Sequence, residues 1–398
     1  MLKNDAIIFD DWRTITFAVF LALVGYTVMV TVPVLSTALV QTLGFTEEQV
    51  GRVWGNDMLG FSVGAIISAF TVSRVNRRHL VLGGVILCIG GNLLCMLITD
   101  YGAIMWLRFV TGIGSGIFTG TAVATLGGST KPVRAFNILM LGFAFSSAGQ
   151  LHLFSRLSLH GIFWFIIGST AVCALFLRWL PSRPLNDAEL KQQEMIQDHS
   201  ENWRVPKFMP ILCLIAVCFT YINIGGYFTY IELAALDDGI AQDLITSLLT
   251  WGSFLTIVGC LLAMLCARFG LFRPLIVALL LMAVLVGMLG GGITNINLAI
   301  SVFAFMSLWT FVDVYQSSMM GFMDRSGALV ALMPSVQGFG QFVGPNIAAS
   351  ILGAGLGFDI MFLVSGSTAL VAMIIYGGMY YYMHFGRDVD SDTVTESA

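Results

Sequence analysis

Asp57, Arg108 and Asp313 are charged side chains set inside long apolar runs. A charge at mid-bilayer costs at least about 2.5–3.5 kcal/mol on insertion scales. Such a residue therefore faces a bundle interior or a water-filled path, where it can bind a solute or carry a proton. In a site that is wet in one state and dry in another, desolvation and a neighbouring cation act oppositely on a carboxyl group, so moving either one switches its protonation. Asp57 and Arg108 have the placement for that role. Counted from the outer ends of their runs they lie about 8 and about 6 residues in, which at 1.5 Å per residue matches their depths to within a turn. Asp57 is the expected proton carrier with Arg108 as its partner; the plainer alternative is a static ion pair between two helices. Asp313, in Trp309-Thr310-Phe-Val-Asp313-Val-Tyr315-Gln316, can bind solute, carry a second proton, or steady a gate through Arg325. Glu232, at the outer end of its run, reads as a solvated rim carboxylate rather than a coupling group.

Polar and aromatic residues within the runs supply the candidate solute contacts: Tyr26, Asn56, Arg108, Gln150, Asn223, Tyr227, Gln337 and Gln341. Asn223, Tyr227 and Tyr230 share i, i+4, i+7 spacing and can line one cavity, although Tyr230, near a run's end, also suits an interfacial aromatic belt. The pair Gly225-Gly226 weakens its helix by about 1 kcal/mol per residue relative to Ala and is a place for a bend or gate. His152 and Arg156, near the outer end of span 5, have the charge to attract an anion but are expected to meet headgroups or water.

These groups need elements to hold them. The chain has 398 residues, 57% of them hydrophobic and only 11% charged. A soluble domain carries roughly 25% charged residues, so a water-soluble globule of this composition would expose large apolar patches. A soluble enzyme, a nucleic-acid binder and a disordered scaffold are excluded. Runs of about 20 apolar residues, the length of a membrane span, fall at 14–40, 50–72, 79–99, 103–127, 134–155 and 160–180. A second set falls at 208–233, 244–268, 273–293, 297–320, 327–354 and 359–385. The expected fold is an all-α membrane protein of twelve transmembrane helices. Its units are a six-helix bundle over 1–180, a cytoplasmic linker over 181–207, a second bundle over 208–385, and an acidic, disordered tail over 386–398. All Lys and Arg except Arg52, Arg108 and Arg156 fall on the side of the termini, which by the positive-inside rule is cytoplasmic. The seven cysteines lie in apolar runs without a CxxC, so they read as buried apolar residues rather than a disulfide framework.

An internal repeat divides the chain. Arg74-Val-Asn-Arg77-Arg78 follows span 2, and Arg268-Phe-Gly-Leu-Phe-Arg273-Pro274 stands at the same place in the second half. Together with Leu107-Arg108-Phe-Val-Thr-Gly112-Ile-Gly114-Ser-Gly116 in span 4, these loops make the chain similar to the major facilitator superfamily of secondary transporters over nearly its whole length. The resemblance implies two pseudo-symmetric six-helix halves that rock about a central site, with Arg74, Arg78 and Arg268 in the gating loops. The loop departs from the family pattern: Ser73 stands where the pattern has Asp, Ala69 and Asn76 replace glycines, and Ala267 takes the acidic place in the second copy. Drug/proton antiporters of the family carry a Gly-Pro motif in span 5. Here span 5 reads Gly142-Phe-Ala-Phe-Ser-Ser-Ala-Gly149-Gln150, and Gly340-Gln-Phe-Val-Gly344-Pro345 sits in span 11.

The expected function is import of a small organic solute, anionic if Arg108 meets it, driven by protons through alternating access. The alternative is proton-coupled efflux of a lipophilic compound, and a non-transporting receptor or scaffold would make the buried charges structural. No cofactor is expected: GxxxxGK[ST] is absent and no His/Cys/carboxylate cluster has metal spacing. The expected partners are the solute, protons and the lipid bilayer, with no nucleic acid. The chain is expected to work as a monomer in a bacterial inner membrane.

Overall fold

With no water in the bilayer core, an apolar run satisfies its backbone only as a helix, and each run above contains one. The computed structural model describes residues 9, 11–72, 74–129, 132–182, 206, 208–323, 329 and 332–395, with the side chains of 132, 133 and 385–395 excepted. The helices are α1 (Trp12–Leu43), α2 (Glu47–Thr71), α3 (Arg77–Leu97), α4 (Tyr101–Gly127), α5 (Pro132–Phe154) and α6 (Leu159–Leu175), then α7 (Phe208–Asp237), α8 (Gln242–Cys266), α9 (Phe272–Gly287), α10 (Asn295–Met323), α11 (Met333–Gly353) and α12 (Gly357–Thr395). Nine stretches among the described residues are long and apolar enough to cross a membrane. Polar caps set several boundaries. The Thr46 side chain accepts from Gln49 N–H while the Gln49 side chain accepts from Thr46 N–H at the head of α2, and Asn76, Asp100 and Ser158 cap α3, α4 and α6. Each satisfies an amide with no intrahelical partner.

Two boundaries differ from expectation. α1 is interrupted at Tyr26, whose backbone sits between its two helical segments. α12 continues to Thr395, so the disorder expected beyond 385 is corrected for residues 386–395. Extending a helix adds one hydrogen bond for each residue fixed, and no proline interrupts this stretch. The linker residues 183–205, Ser73 and Arg325 lie outside the described residues.

Helices α1–α6 and α7–α12 form two bundles whose contacts rely on glycine. Gly60 and Gly64 of α2 meet Gly112 and Gly116 of α4 so closely that a Cβ on any of them would collide with backbone of the other helix. Small residues allow such approach in lipid, where dispersion contact and not the hydrophobic effect drives association. Gly84 of α3 against Gly114 of α4, and Gly259 of α8 against Ser307 of α10, repeat the device. Between the bundles, α2 packs on α11, α5 on α8 and α1 on α7. The end of the molecule away from the termini is closed. There Gly51 of α2 abuts Tyr230 and Pro345, and the Tyr230 hydroxyl donates to the Glu47 carbonyl at 2.7 Å. Nearer the middle, the Ser62 hydroxyl donates to the Ser335 carbonyl at 2.5 Å.

Candidate functional site

Two charged centres emerge, at different places in the fold. In the first, the closely packed α2 and α4 bring Asp57 and Arg108 together: Arg108 Nη2 lies 2.7 Å from Asp57 Oδ1, and each side chain is 1% exposed. Neither Nη2 nor Asp57 Oδ1 has an aligned hydrogen bond, so the contact is one of charge. Arg108 Nη1 donates to Asn92 Oδ1 of α3 at 2.9 Å, and the guanidinium lies 5.2 Å from the ring centre of Trp54. The sequence placed the pair at equal depth; the structure adds that both face inward among α2, α3 and α4, sealed from the space between the halves. The Arg108 on which an anionic solute was expected is thus spent on Asp57 and Asn92. Asn92 went unremarked, although it is the one amide in the third apolar run.

The second centre lies between the halves. Asp313 on α10 is half-buried and accepts from the Tyr221 hydroxyl of α7 at 2.5 Å, from the Trp309 side chain, and from Gln337 Nε2 of α11 at the long distance of 3.5 Å. Tyr26 of α1, from the other half, lies within electrostatic reach of Asp313. Its ring packs on Phe61 of α2 and Phe143 of α5, with centroids 5.9 Å away in each case. Trp309 sets its edge to Phe228 at 5.5 Å. Four helices, α1, α7, α10 and α11, therefore converge on one carboxyl group, lined on several sides by aromatic faces. Tyr221 and Trp309 were not singled out as contacts because helical spacing alone relates residues of one helix, and these two meet across α7 and α10.

The remaining candidates separate from both centres. Asn223 donates to the Ser365 carbonyl of α12 at 2.7 Å. Tyr227 accepts from Ser301 at 3.1 Å and lies on Phe305 with ring centres 4.1 Å apart. Both are buried inside the second bundle, so the cavity expected from their spacing is corrected: the face they share packs on α10 and α12. α7 runs unbroken through Gly225 and Gly226. Gly225 lets Gln341 and Pro345 of α11 approach and Gly226 lets in Ser365, which makes these glycines packing residues and not a bend. Gln341 is buried at that contact. Asn56 donates to its own helix at Arg52 O, 2.8 Å away, and Gln150 donates to Ser146 Oγ at 2.8 Å.

Of the residues expected to gate, Arg74 is exposed. Arg78 donates to the carbonyls of Leu180 and Arg178 at 2.7 and 2.9 Å, tying α3 to the end of α6 within one bundle. Arg268 lies over the Phe269 ring at 4.7 Å. His152 and Arg156 are exposed as expected. Glu232 is corrected: it is 1% exposed, accepts from Gln242 Nε2 at 2.8 Å and is hydrogen-bonded by Thr37 of α1. Tyr230 is buried in the same closure and belongs to no interfacial belt. The outer ends of α1, α2 and α7 interlock where open rim was expected. A groove of about 480 Å³ opens on the flank of α2 and α11, with its Arg52 paired to Glu48 at 2.7 Å. No group of His, Cys, Asp or Glu among the described residues has the arrangement of a metal site.

Comparison with known proteins agrees with this fold. Residues 15–345 match the family model described as Major Facilitator Superfamily. Similar solved structures include the nucleoside transporter NupG (TM-score 0.69, 12% identity, covering 93% of this chain and 98% of that one). A D-xylose-proton symporter is also similar (TM-score 0.68, 15% identity, covering 91% and 96%), as is the human organic anion transporter MFSD10 (TM-score 0.66, 14% identity, covering 92% and 99%). No curated protein sequence matches the chain.

Proposed function

The chain belongs to the Major Facilitator Superfamily and is a multi-pass membrane transporter, not an enzyme; we propose that it imports a small organic solute with protons by alternating access. The observation that carries the reading is Asp313, a half-buried carboxyl group touched from α7, α10 and α11 and approached by Tyr26 of the opposite half. A solute bound there contacts both halves at once, so its binding energy differs between the two rocked states, which is what drives a conformational equilibrium. Parallel-repeat transporters hold their substrates at such a midplane interface.

Proton coupling falls to Asp57 and Arg108. In the state closed at the far end the two are paired and dry. Opening that end rearranges α2, on which both the closure and Asp57 depend, and gives water access to the carboxyl group. Protonation of Asp57 then releases Arg108 to Asn92 and Trp54. Solute and proton thus occupy separate centres on helices that move together. The termini face the cytoplasm, the membrane is a bacterial plasma membrane, and one chain suffices for a complete path.

Proteoliposome flux under an imposed pH gradient tests this. Inward accumulation of solute with an inward proton gradient is expected, and its collapse in Asp313→Asn. Expulsion under the same gradient would replace import with exchange, and absence of any flux across a solute panel would remove the reading.

A further inference from the structure

We propose that the space around Asp313 receives a positively charged organic solute, an ammonium carried on an aromatic or apolar body; the assignment rests on the reading that solute binds between the halves.

The fold treats its two intramembrane aspartates differently. Asp57 has a guanidinium at 2.7 Å. Among the described residues Asp313 has only neutral donors: the Tyr221 hydroxyl, the Trp309 side chain and the distant Gln337 amide. The titratable groups that face it are Tyr221 of α7, Tyr26 of α1 and Cys260 of α8, and none of them is a cation. Of the guanidiniums buried in the first bundle among the described residues, Arg108 pairs with Asp57 and Arg77 donates to Thr125 of α4, so neither serves Asp313. A carboxylate taken out of water draws a counter-charge. Here the protein supplies none among its described residues, and Asp313 is left half-exposed to the space between the halves.

The surroundings fit the same ligand. Tyr26, backed by Phe61 and Phe143, together with Tyr221 and Trp309, offers aromatic faces and edges around the carboxyl group. Ring faces attract ammonium groups through their quadrupole, and desolvation strengthens the attraction. An uncharged alcohol gains one hydrogen bond here and leaves the charge unbalanced. An anion meets a like charge in a medium of low dielectric, where repulsion is strong.

The test is thermal unfolding and ligand titration of the full-length purified chain at pH 7. Its probes are phenethylamine, 2-phenylethanol and 3-phenylpropanoate, which share a phenyl group, and a size series from tetramethylammonium to tetrabutylammonium. A ligand that prefers the folded state raises the midpoint. One or more ammonium ions are expected to stabilise the chain, the alcohol and the carboxylate are not, and Asp313→Asn weakens the ammonium by about tenfold to a hundredfold. Asp313→Glu, which keeps the charge, retains binding within a few-fold and decides the matter should the Asn variant fail to fold. Stabilisation by none of the ammonium ions, equal stabilisation by 2-phenylethanol, or indifference to both Asp313 variants overturns the assignment. Proton-driven flux of an uncharged or anionic solute without ammonium binding rejects the cation and leaves the transporter reading standing. Ammonium binding without any flux does the reverse.

Discussion

Neutralising Asp57 and Arg108 singly and together separates coupling from mere support. With each side chain 1% exposed and 2.7 Å between the charges, removing one partner strands the other in the bundle, at a cost of about 3–5 kcal/mol. The two single variants are not equivalent. Stranded by Asp57→Asn, Arg108 keeps Asn92 at 2.9 Å and the Trp54 ring at 5.2 Å, but a guanidinium cannot shed its charge. Stranded by Arg108→Gln, Asp57 can take up a proton and become neutral. Asp57→Asn is therefore the more destabilising, and Arg108→Gln loses stability progressively as pH rises. The double variant Asp57→Asn/Arg108→Gln removes both charges and recovers most of the loss, because replacing a whole buried pair with neutral groups is often close to neutral. Unfolding midpoints of the four proteins in detergent, at pH 5.5 and 8, give the cycle. Flux then reads function from the double variant, which is folded: downhill exchange persists and accumulation against a gradient in response to pH is lost. Full pH-driven accumulation by the double variant would refute the coupling role and leave a static ion pair. Single variants as stable as the wild type would refute the burial on which the magnitude rests.

Gly112→Ala places a methyl group against the Asp57 carbonyl and is expected to part α2 from α4 at a cost of about 1–3 kcal/mol, read as a lowered unfolding midpoint; an unchanged midpoint would contradict the close packing. Tyr230→Phe removes the bond from α7 to the Glu47 carbonyl, worth about 0.5–1.5 kcal/mol. It should raise labelling by an impermeant maleimide of a cysteine placed at Thr37, which is buried in that closure beside Glu232, compared with the same cysteine in a chain that keeps Tyr230. Unchanged labelling would show that the closure does not depend on this contact. Arg78→Ala deletes the bonds to Leu180 and Arg178 and is expected to lower stability by about 1 kcal/mol while leaving the flux rate intact. A collapse of flux without destabilisation would restore the gating role that the loop's resemblance implied.

Helix positions were legible because a long apolar run in lipid has only one way to satisfy its backbone; the caps Thr46 and Asp100, which begin α2 and α4, were seen only in the structure. Depth was legible too, since rise per residue converts position in a run into height, which is how Asp57 and Arg108 were matched. Facing was not. Gly225-Gly226 and the Asn223–Tyr227 spacing read as a flexible, cavity-lining stretch, yet the glycines serve contact with α11 and α12 and the Asn223–Tyr227 face packs on α10 and α12. Glycine permits bending and close approach alike, and only the neighbour decides which is used. Glu232 read as rim because its run ends near it, and the closure of α1 over α7 buried it.

The amino-acid order by itself determined that this is a membrane-embedded helical protein in two related halves, with charges at certain heights in its spans, because hydropathy and rise per residue are properties of one chain segment at a time. Tertiary structure decided which charge meets which. It gave Arg108 to Asp57, left Asp313 among neutral donors between the halves, and interlocked the far end, because those outcomes depend on the rotation of each helix about its axis. That rotation is fixed by glycines and side chains contributed from distant parts of the chain.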